Sequence, residues 1–475
     1  MCGATPGKAG MAFDTLIAGG TVVSPSGLRR ADVGLRGQRI AEVGPGLARR
    51  AGSAARVIDA TGKYVLPGVI DVHVHLEMPF CGTVSSDDYD SGTRAAARGG
   101  VTTLIDFAIP FGRESLHDAL DAWSAKAAGK ACIDYSFHVC LTDPRRHPAQ
   151  IPGLIRRGVP TVKAFMIYAS QGWESDDGTL YEALEITRRS GGMLMVHAES
   201  ARLLDRLIER FHTPAMMRRH GARLHAMSRP NIVEVEAIAR VIRWAEATGG
   251  RLYIVHMSTG EGADLVRDAQ RRGVRVLAET CASYLTLDDS VFSRPDGHLY
   301  ATCPQLKKPR DRRRLWQGLR GGEVSVVSTD TCTFTRRQKA AWKGDWTKIP
   351  MGMPGLETLL PAVYTWGVLG RRLTLPRLVA CLCENPARIM GLYPRKGVIA
   401  RGADADLVII DPRRRTLVDW RQMETNADWN PFQGRRLAGF PEQTFSRGRL
   451  IVDGGRFVGE NGWGRFVPRR LGRSW

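Results

Sequence analysis

Eight short apolar runs, separated by longer stretches with helical periodicity, limit the folds open to this chain of 475 residues. Continuous apolar runs of this length are typical of strands that are buried on both faces of a parallel sheet. Eight such strands alternating with helices predict a closed (β/α)8 TIM-like barrel, an α/β fold. The predicted strands span residues 68–76, 101–109, 133–141, 159–167, 193–198, 251–258, 274–280 and 324–330.

Shorter strand-like segments, broken by glycine and proline, flank the barrel pattern on both sides. They include "DTLIAGGTVVSP" and "RVIDATGKYVLPG" before it, and "ADADLVIIDP" and "FSRGRLIVDGG" after it. Short strand-like segments separated by glycine and proline are typical of β-hairpins. We therefore predict that residues 68–390 form the barrel, while residues 1–67 and 391–475 together form a small β-sandwich module and a tail.

Composition excludes several classes of protein. The formal charge is +20, but the basic residues are spread along the chain and no nucleic-acid-binding module is recognisable, so an arginine-rich solvated surface explains the charge. The sequence contains no run of 18 or more apolar residues, so we predict no transmembrane helix. The start, "MCGATPGKAGMAF", lacks an apolar signal core, and the nine scattered cysteines suit a reducing compartment. We expect a cytoplasmic protein without nucleic-acid or membrane partners.

The stretch "GVIDVHVHLE", residues 68–77, places polar residues at alternate positions of the first predicted strand. Since side chains alternate between the faces of a strand, Asp71, His73 and His75 share one face. A half-exposed strand would explain this pattern without a function. However, imidazole is a common ligand of divalent transition metals, so two histidines on one face also suggest a metal site.

Four more polar residues fall near the C-terminal ends of later predicted strands: Lys163, His197, His256 and Asp330. Active sites of (β/α)8 barrels are built at that end of the barrel. Each residue alone has an ordinary structural explanation, such as a core histidine or a helix cap. Together with the two histidines of the first strand, they predict a metal centre.

Lys163 requires a separate argument, because a protonated amine has no lone pair for a metal. Its reference pKa is about 10.4. Buried beside metal ions, the amine could lose its proton and react with carbon dioxide to form a carbamate, whose two oxygens can bridge two cations. Four imidazoles and one aspartate carry a single negative charge, so the carbamate would help to balance two divalent ions. Two such ions can activate water and polarise a carbonyl.

The chain resembles the cyclic amidohydrolases nearly end to end, and specifically their dihydropyrimidinase and D-hydantoinase group. The resemblance is carried by the stretch from "HVHLEMPF" to "TTLIDFAIP" and by "VKAFMIYAS", "MVHAES", "IVHMST", "STDTCTF", "GMPGLE" and "NPARIMGLYPRKGVIARGADADLVIID". It implies a β module joined to a barrel, a dinuclear metal site with zinc as the expected metal, and a homotetramer.

The resemblance also implies a role for each matching residue. His73, His75 and Asp330 match ligands of one metal, and His197 and His256 match ligands of the other. Lys163 matches the carboxylated lysine that bridges both metals. Tyr168 matches the tyrosine that holds the substrate carbonyl oxygen, and Asp330 is expected to act as general base and then general acid.

Three departures from the group fall around the expected substrate pocket. The chain has Cys303-Pro-Gln-Leu-Lys307 where the group usually has Ser-Pro-Pro-Leu-Arg. It has Met351 where an asparagine is common, and Thr331 where a histidine usually follows the aspartate. In this group of enzymes, the loops that correspond to those of Cys303 and Met351 hold the ring amide of the substrate chiefly through backbone atoms. We therefore expect that substrate binding survives and that the shape of the pocket is altered.

The loop after the fourth predicted strand carries Trp173, which we place on an exposed loop tip. We predict that its indole forms a wall against the exocyclic substituent of the substrate ring, with Met78, Phe80 and Cys81 on the opposite side. A subunit contact is the alternative.

The expected reaction is hydrolytic opening of 5,6-dihydropyrimidines or 5-substituted hydantoins to N-carbamoyl amino acids. Related dihydroorotases and allantoinases carry an arginine after the second histidine of the first strand, where this chain has Leu76 and Glu77. That difference disfavours an acidic ring. The alternatives are hydrolysis of another ureide or imide, allantoin-like or larger, and a non-catalytic scaffold protein related to dihydropyrimidinase; the complete set of metal-ligand residues favours an enzyme.

Overall fold

The computed structural model describes residues 13–50 and 55–472, and its central feature is one parallel barrel of eight strands. The strands lie side by side in the order in which they occur along the chain, which confirms the predicted (β/α)8 fold. Their bounds are Val69–Val74, Val101–Ala108, Asp134–Cys140, Thr161–Phe165, Met193–His197, Leu252–Ile254, Val276–Cys281 and Val326–Ser328. The segment 1–12, on which the absence of a signal core was argued, lies outside the described residues.

The first and eighth strands close the barrel near its C-terminal end. Val74 and Thr331 form a parallel bridge, and the backbone nitrogen of His75 donates to the Thr331 carbonyl at 2.8 Å. The Thr329 hydroxyl donates to Asp71 Oδ2 at 2.6 Å, and the Thr329 backbone nitrogen donates to Oδ1 at 3.2 Å. Asp71 therefore holds the closing strand, and Asp330 follows directly after this contact.

Helices cover the outside of the barrel and alternate with its strands. The helix Tyr89–Arg98, for example, begins after Asp88, whose carboxylate accepts from the Ser91 backbone nitrogen at 2.7 Å. The α-helices span Tyr89–Arg98, Leu116–Ala127, Ile151–Arg156, Asp177–Ser190, Ala201–Phe211, Pro214–His220, Arg223–Met227, Asn231–Thr248, Gly260–Arg271, Ala282–Thr286, Pro309–Gly321, Arg336–Lys339, Leu359–Ala362, Leu375–Val379 and Asn385–Ile389. Among the residues that the structure describes, no helix combines the length and apolar character needed to cross a membrane.

The two ends of the chain contribute to one β module of two sheets. One sheet contains Arg39–Gly44, Asp32–Arg36, Thr15–Ala18 and Arg56–Asp59; the other contains Arg456–Phe457, Arg449–Asp453, Pro441–Ser446, Leu407–Ile410, Tyr64–Pro67, Thr21–Ser24 and Gly27–Arg30. Ile17 and Val33 of the first sheet pack with Val65, Ile409 and Phe445 of the second in one buried cluster. The predicted β-sandwich formed by both termini is therefore confirmed.

The tail runs along the N-terminal end of the barrel. The Tyr135 backbone nitrogen donates to the Arg465 carbonyl at 3.0 Å, and the Val467 nitrogen donates to the Tyr135 carbonyl at 2.8 Å. The buried side chain of Arg469 donates to Ser136 Oγ at 2.9 Å and to Thr161 Oγ1 at 2.7 Å. The tail thus supports the barrel at the end opposite to Asp330.

A buried ionic cluster joins the barrel to the β module. Lys396 is 1% exposed, and its Nζ lies 2.8 Å from Asp134 of the third barrel strand, 2.6 Å from Asp406 and 3.2 Å from Asp404. The Arg447 guanidinium lies 3.0 Å from Asp134. Although burial by itself would lower the pKa of Lys396, these carboxylates raise it above its ordinary value.

Replacing Lys396 by methionine should destabilise the fold, because it leaves three buried carboxylates without their shared ammonium. We expect a loss of about 3–5 kcal/mol in the free energy of unfolding, measured by denaturant titration. The matched control is Lys63→Met, which removes the partly exposed pair of Lys63 with Glu442 and should cost about 0–1 kcal/mol. Equal losses in the two variants would contradict a special role for the cluster.

Candidate functional site

Most of the residues singled out in the sequence line one cavity at the C-terminal end of the barrel. They are His75, Phe80, Lys163, Tyr168, Trp173, His197, His256, Cys303, Asp330 and Met351. His73 is completely buried and lies directly beside this group. The fold therefore brings together residues that are up to 278 positions apart in the chain.

The first group of candidate ligands consists of His73, His75 and Asp330. The Nε2 atoms of His73 and His75 lie 3.2 and 3.4 Å from Asp330 Oδ1, and Lys163 Nζ lies 3.2 Å from His73 Nε2. Asp330 has a positive φ of 52°, a conformation that is uncommon outside glycine and is concentrated at functional sites. Donor atoms from three strands thus face one small space.

The second group is formed by His197 and His256, whose ring centroids are 4.5 Å apart. His197 Nε2 lies 2.8 Å from Glu199 Oε2. When this nitrogen donates its hydrogen to the carboxylate, the lone pair of Nδ1 stays available for a metal. His256 lies 5.2 Å, ring to ring, from His73, so the two groups are neighbours.

Two buried carboxylates support these histidines from behind. Glu279 Oε1 accepts from His73 Nδ1, while its Oε2 accepts from the Tyr253 hydroxyl at 2.9 Å. Glu199 accepts from Arg229 Nη1 at 2.9 Å on both oxygens. Burial alone would raise the pKa of Glu199, but the Arg229 guanidinium and the His197 hydrogen bond lower it. Such partners orient metal-binding histidines and select their tautomer.

The donor set fits divalent metal ions. The ligand-type atoms of His73, His75 and Asp330 lie within 4.8 Å of one another. Burial lowers the pKa of each of the four candidate histidines, so their rings are neutral and carry a lone pair. Burial also lowers the pKa of Lys163, which favours its neutral amine.

A third set, His197, Glu199 and Cys303, has the same close spacing. Its carboxylate is already engaged, because both oxygens of Glu199 accept from the buried guanidinium of Arg229. We therefore interpret Glu199 as a support of His197 rather than as a ligand.

Two loops form the side of the cavity next to Tyr168. Tyr168 has a positive φ of 73°, and its ring lies 5.3 Å from that of His197. The loop that carries Cys303 is tied to the loop of Met351, because the Gly352 backbone nitrogen donates to the Ala301 carbonyl at 2.9 Å. A Cβ on Gly352 would lie 2.2 Å from the carbonyl oxygen of Cys332, so the close approach of Gly352 to Cys332 requires glycine.

The structure corrects the placement of Trp173 on an exposed loop tip. Its side chain is 8% exposed and stacks on Phe80, with ring centroids 5.9 Å apart and an interplanar angle of 18°. Phe80 belongs to a hairpin, Pro79–Phe80 with Thr83–Val84, and lines the cavity. Phe80 therefore lies against Trp173 and does not form the opposite wall that the sequence predicted. The indole also packs against the rings of Phe111, Phe165 and Tyr168, which explains its burial.

Comparison with known proteins agrees with this arrangement. A model of the amidohydrolase family matches residues 64–451. The chain belongs to the amidohydrolase family. It is 38% identical to a D-hydantoinase of Geobacillus stearothermophilus in an alignment of 463 residues that covers 96% of both chains. It is 39% identical over 469 residues to a D-hydantoinase of Streptomyces coelicolor, which covers 97% of this chain and 98% of the relative.

A solved structure extends the likeness to three dimensions. The crystal structure of dihydropyrimidinase from Brevibacillus agri matches this amidohydrolase with a TM-score of 0.93 at 36% identity, over 97% of this chain and 99% of that one. The resemblance to the dihydropyrimidinase and hydantoinase group is thereby confirmed.

The residues that depart from the pattern of this group have defined positions. Gln305 Nε2 and Lys307 Nζ donate to the Arg229 carbonyl at 2.6 and 3.0 Å. Thr331 is completely buried at the barrel closure, and its hydroxyl has no hydrogen-bond partner among the described residues. Of the departures, Cys303 and Met351 line the cavity, whereas Gln305, Lys307 and Thr331 are buried outside its lining.

Sequence reasoning missed the two supporting carboxylates and Arg229. Glu279 stands at a late position of the seventh predicted strand, in "VLAETC", where the other strands carry candidate ligands. That position was a usable signal, as was the location of Glu199 two residues after His197. Arg229 lies in a helical connection without any periodic signal that points to the cavity.

Replacing His197 by alanine should remove a ligand from one metal position only. We expect the metal content, measured by elemental analysis, to fall by about one ion per chain and turnover to be nearly lost. The control is His147→Ala, since His147 is also buried but lies outside the cavity and bonds to the Glu114 carbonyl. An unchanged metal content in His197→Ala would contradict its assignment as a candidate ligand.

Proposed function

We propose that this amidohydrolase opens the ring of 5,6-dihydropyrimidines or 5-monosubstituted hydantoins by hydrolysis. The products would be N-carbamoyl amino acids. The observation that carries the proposal is the convergence of four neutral histidines, Asp330, Lys163 and Tyr168 on one cavity. The names of the relatives, D-hydantoinase and dihydropyrimidinase, support the same substrate class.

The cofactor that we propose is a pair of divalent ions, with zinc as the expected metal. His73, His75 and Asp330 would hold one ion, His197 and His256 the other, and a carboxylated Lys163 would bridge them. Lys163 is 2% exposed and its amine lies next to His73, which supports this role. When bound, the ions would lower the pKa of water and polarise the ring carbonyl.

Tyr168 and Asp330 would carry out the chemistry that belongs to the protein. Burial raises the pKa of the Tyr168 phenol, so the hydroxyl stays protonated and can donate to the carbonyl oxygen as it gains negative charge. The Asp330 carboxylate would accept a proton from the attacking water and deliver it to the ring nitrogen. The carbon–nitrogen bond would then break, which leaves a terminal carbamoyl group and a carboxylic acid that releases the second proton of the water to solvent.

The ring itself would be held by the loops of Cys303 and Met351. Both residues line the cavity together with Thr302 and Gly352, and the two loops are hydrogen-bonded to each other. We propose that backbone groups of these loops bind the ring amide, because they present polar atoms next to Tyr168.

The position after His75 supports a neutral substrate. Leu76 is completely buried, and Glu77 forms an ion pair with Lys130 at 3.4 Å. Neither position carries a cationic side chain that could bind a carboxylate on the ring. This difference argues against an acidic ring as the substrate. The homotetramer and the cytoplasmic location expected from the sequence stay predictions.

The proposed reaction is tested by a turnover screen with dihydrouracil, hydantoin, 5-phenylhydantoin and glutarimide. We expect metal-loaded enzyme to convert dihydrouracil or a hydantoin to its N-carbamoyl product, identified by mass spectrometry, and metal-stripped enzyme to be inactive. Turnover of glutarimide alone would reassign the substrate to cyclic imides. A metal-loaded protein that opens none of these rings would reject the proposal.

Trp173 and Phe80 would recognise the substituent at the fifth ring position. The stacked pair, together with Met78 and Phe165, forms an apolar side of the cavity that suits an aromatic or branched substituent.

Trp173→Ala should therefore lower kcat/KM for 5-phenylhydantoin by roughly 10- to 200-fold, equivalent to about 1–3 kcal/mol, with a much smaller effect on dihydrouracil. Steady-state kinetics on both substrates measures the difference. Trp244→Ala, on the helix Asn231–Thr248 and outside the cavity lining, is the control. Equal losses on both substrates would show that Trp173 does not read the substituent.

A further inference from the structure

One carboxylate, Glu199, connects the two halves of the candidate site. Its Oε2 atom lies 2.8 Å from His197 Nε2 and accepts from the Cys303 thiol at 3.2 Å. The hydroxyl of Tyr168 lies against the same thiol. Any movement of Glu199 would therefore shift a candidate metal ligand and a residue of the substrate loop together.

Arg229 determines where this carboxylate lies. Its Nη1 atom is 2.9 Å from each oxygen of Glu199, and both side chains are buried. Within the described residues, Glu199 is the carboxylate with which Arg229 forms an ion pair. A buried charge that loses its partner is costly, so the pair is confined to one geometry.

The backbone of Arg229 is in turn fixed by the loop that departs from the hydantoinase pattern. Its carbonyl accepts from Gln305 Nε2 at 2.6 Å and from Lys307 Nζ at 3.0 Å. Gln305 and Lys307 are 4% and 5% exposed, although both residue types are usually exposed. Cys303 lies on the same loop, so the loop contacts Glu199 directly and also through Arg229.

We propose that Gln305 and Lys307 are positioning residues for this site, a proposal that rests on the proposed function. Through Arg229 and Glu199 they set the orientation of His197, and through the shared loop they set the place of Cys303 next to Tyr168. Neither side chain lines the cavity, and their amide and ammonium groups donate to the backbone carbonyls of Ala226 and Arg229. The loop of residues 303–307 thus positions both the candidate metal ligand His197 and the residue Cys303 next to Tyr168.

The test removes the ammonium of Lys307 without removing its bulk. In Lys307→Met we expect metal affinity, measured by competition with a chelator, to fall about tenfold, the lower end of what supporting residues of metal ligands contribute. We also expect kcat to fall more than KM rises. Lys307→Arg should restore metal affinity to within about threefold of the wild type, because its guanidinium can donate to the same carbonyl.

Lys308→Met is the matched control, because the neighbouring Lys308 has the same charge but a side chain that is 65% exposed. It should bind metal and turn over substrate like the wild type. Wild-type metal affinity in Lys307→Met, or an equal loss in Lys308→Met, would overturn the proposal.

Gln305→Ala provides a second variant in case Lys307→Met does not fold, and it should also weaken metal binding. The thermal stability of each metal-stripped variant separates positioning from general damage. A lower Tm of the stripped protein with unchanged metal affinity indicates a purely structural role and overturns the proposal. Since metal affinity is measured without substrate, failure of the proposed reaction would be distinguishable from failure of this inference.

Discussion

The closure of the barrel between its first and eighth strands is the contact on which the candidate site depends. Asp71 and Thr329 are 258 residues apart in the chain, yet they share two hydrogen bonds. This contact places Asp330 directly against His73 and His75. Without closure, the histidine-bearing strand would have a free edge, and the donor atoms of the first candidate group would not meet.

Burial then determines what the gathered residues can do. In a low-dielectric space the charged forms of histidine and lysine are disfavoured, so rings and amine present lone pairs. The same burial would make isolated carboxylates costly, and each one near the site has a partner. Glu279 accepts hydrogen bonds from His73 and Tyr253, and Glu199 accepts from Arg229. Neutral ligands and paired carboxylates together make a compact set suited to divalent cations.

The two ends of the barrel have different tasks. The N-terminal end is held by the tail, through Arg469, and by the buried cluster of Lys396 with three aspartates. The C-terminal end carries residues in strained backbone conformations, with positive φ at Tyr168, His256 and Asp330. This division is general in (β/α)8 enzymes, in which stability resides at one end and chemistry at the other. A rigid lower half allows the upper half to keep strained, functional geometry.

The amino-acid sequence by itself determined the eight strands, the β module and the candidate ligands, because hydrophobic periodicity and side-chain alternation are local properties of the backbone. His73 and His75 share a face for this reason alone. Only the tertiary structure decided which residues support them: Glu279 meets His73 although 206 positions separate them in the chain, and Arg229 meets Glu199 across 30 positions. The burial of Trp173 likewise depends on rings from remote elements, among them Phe80 and Phe111. Such contacts are set by packing between elements that are remote in the chain, so a local pattern can indicate the positions of Glu279 and Glu199 but not the partners that Glu279 and Arg229 bind.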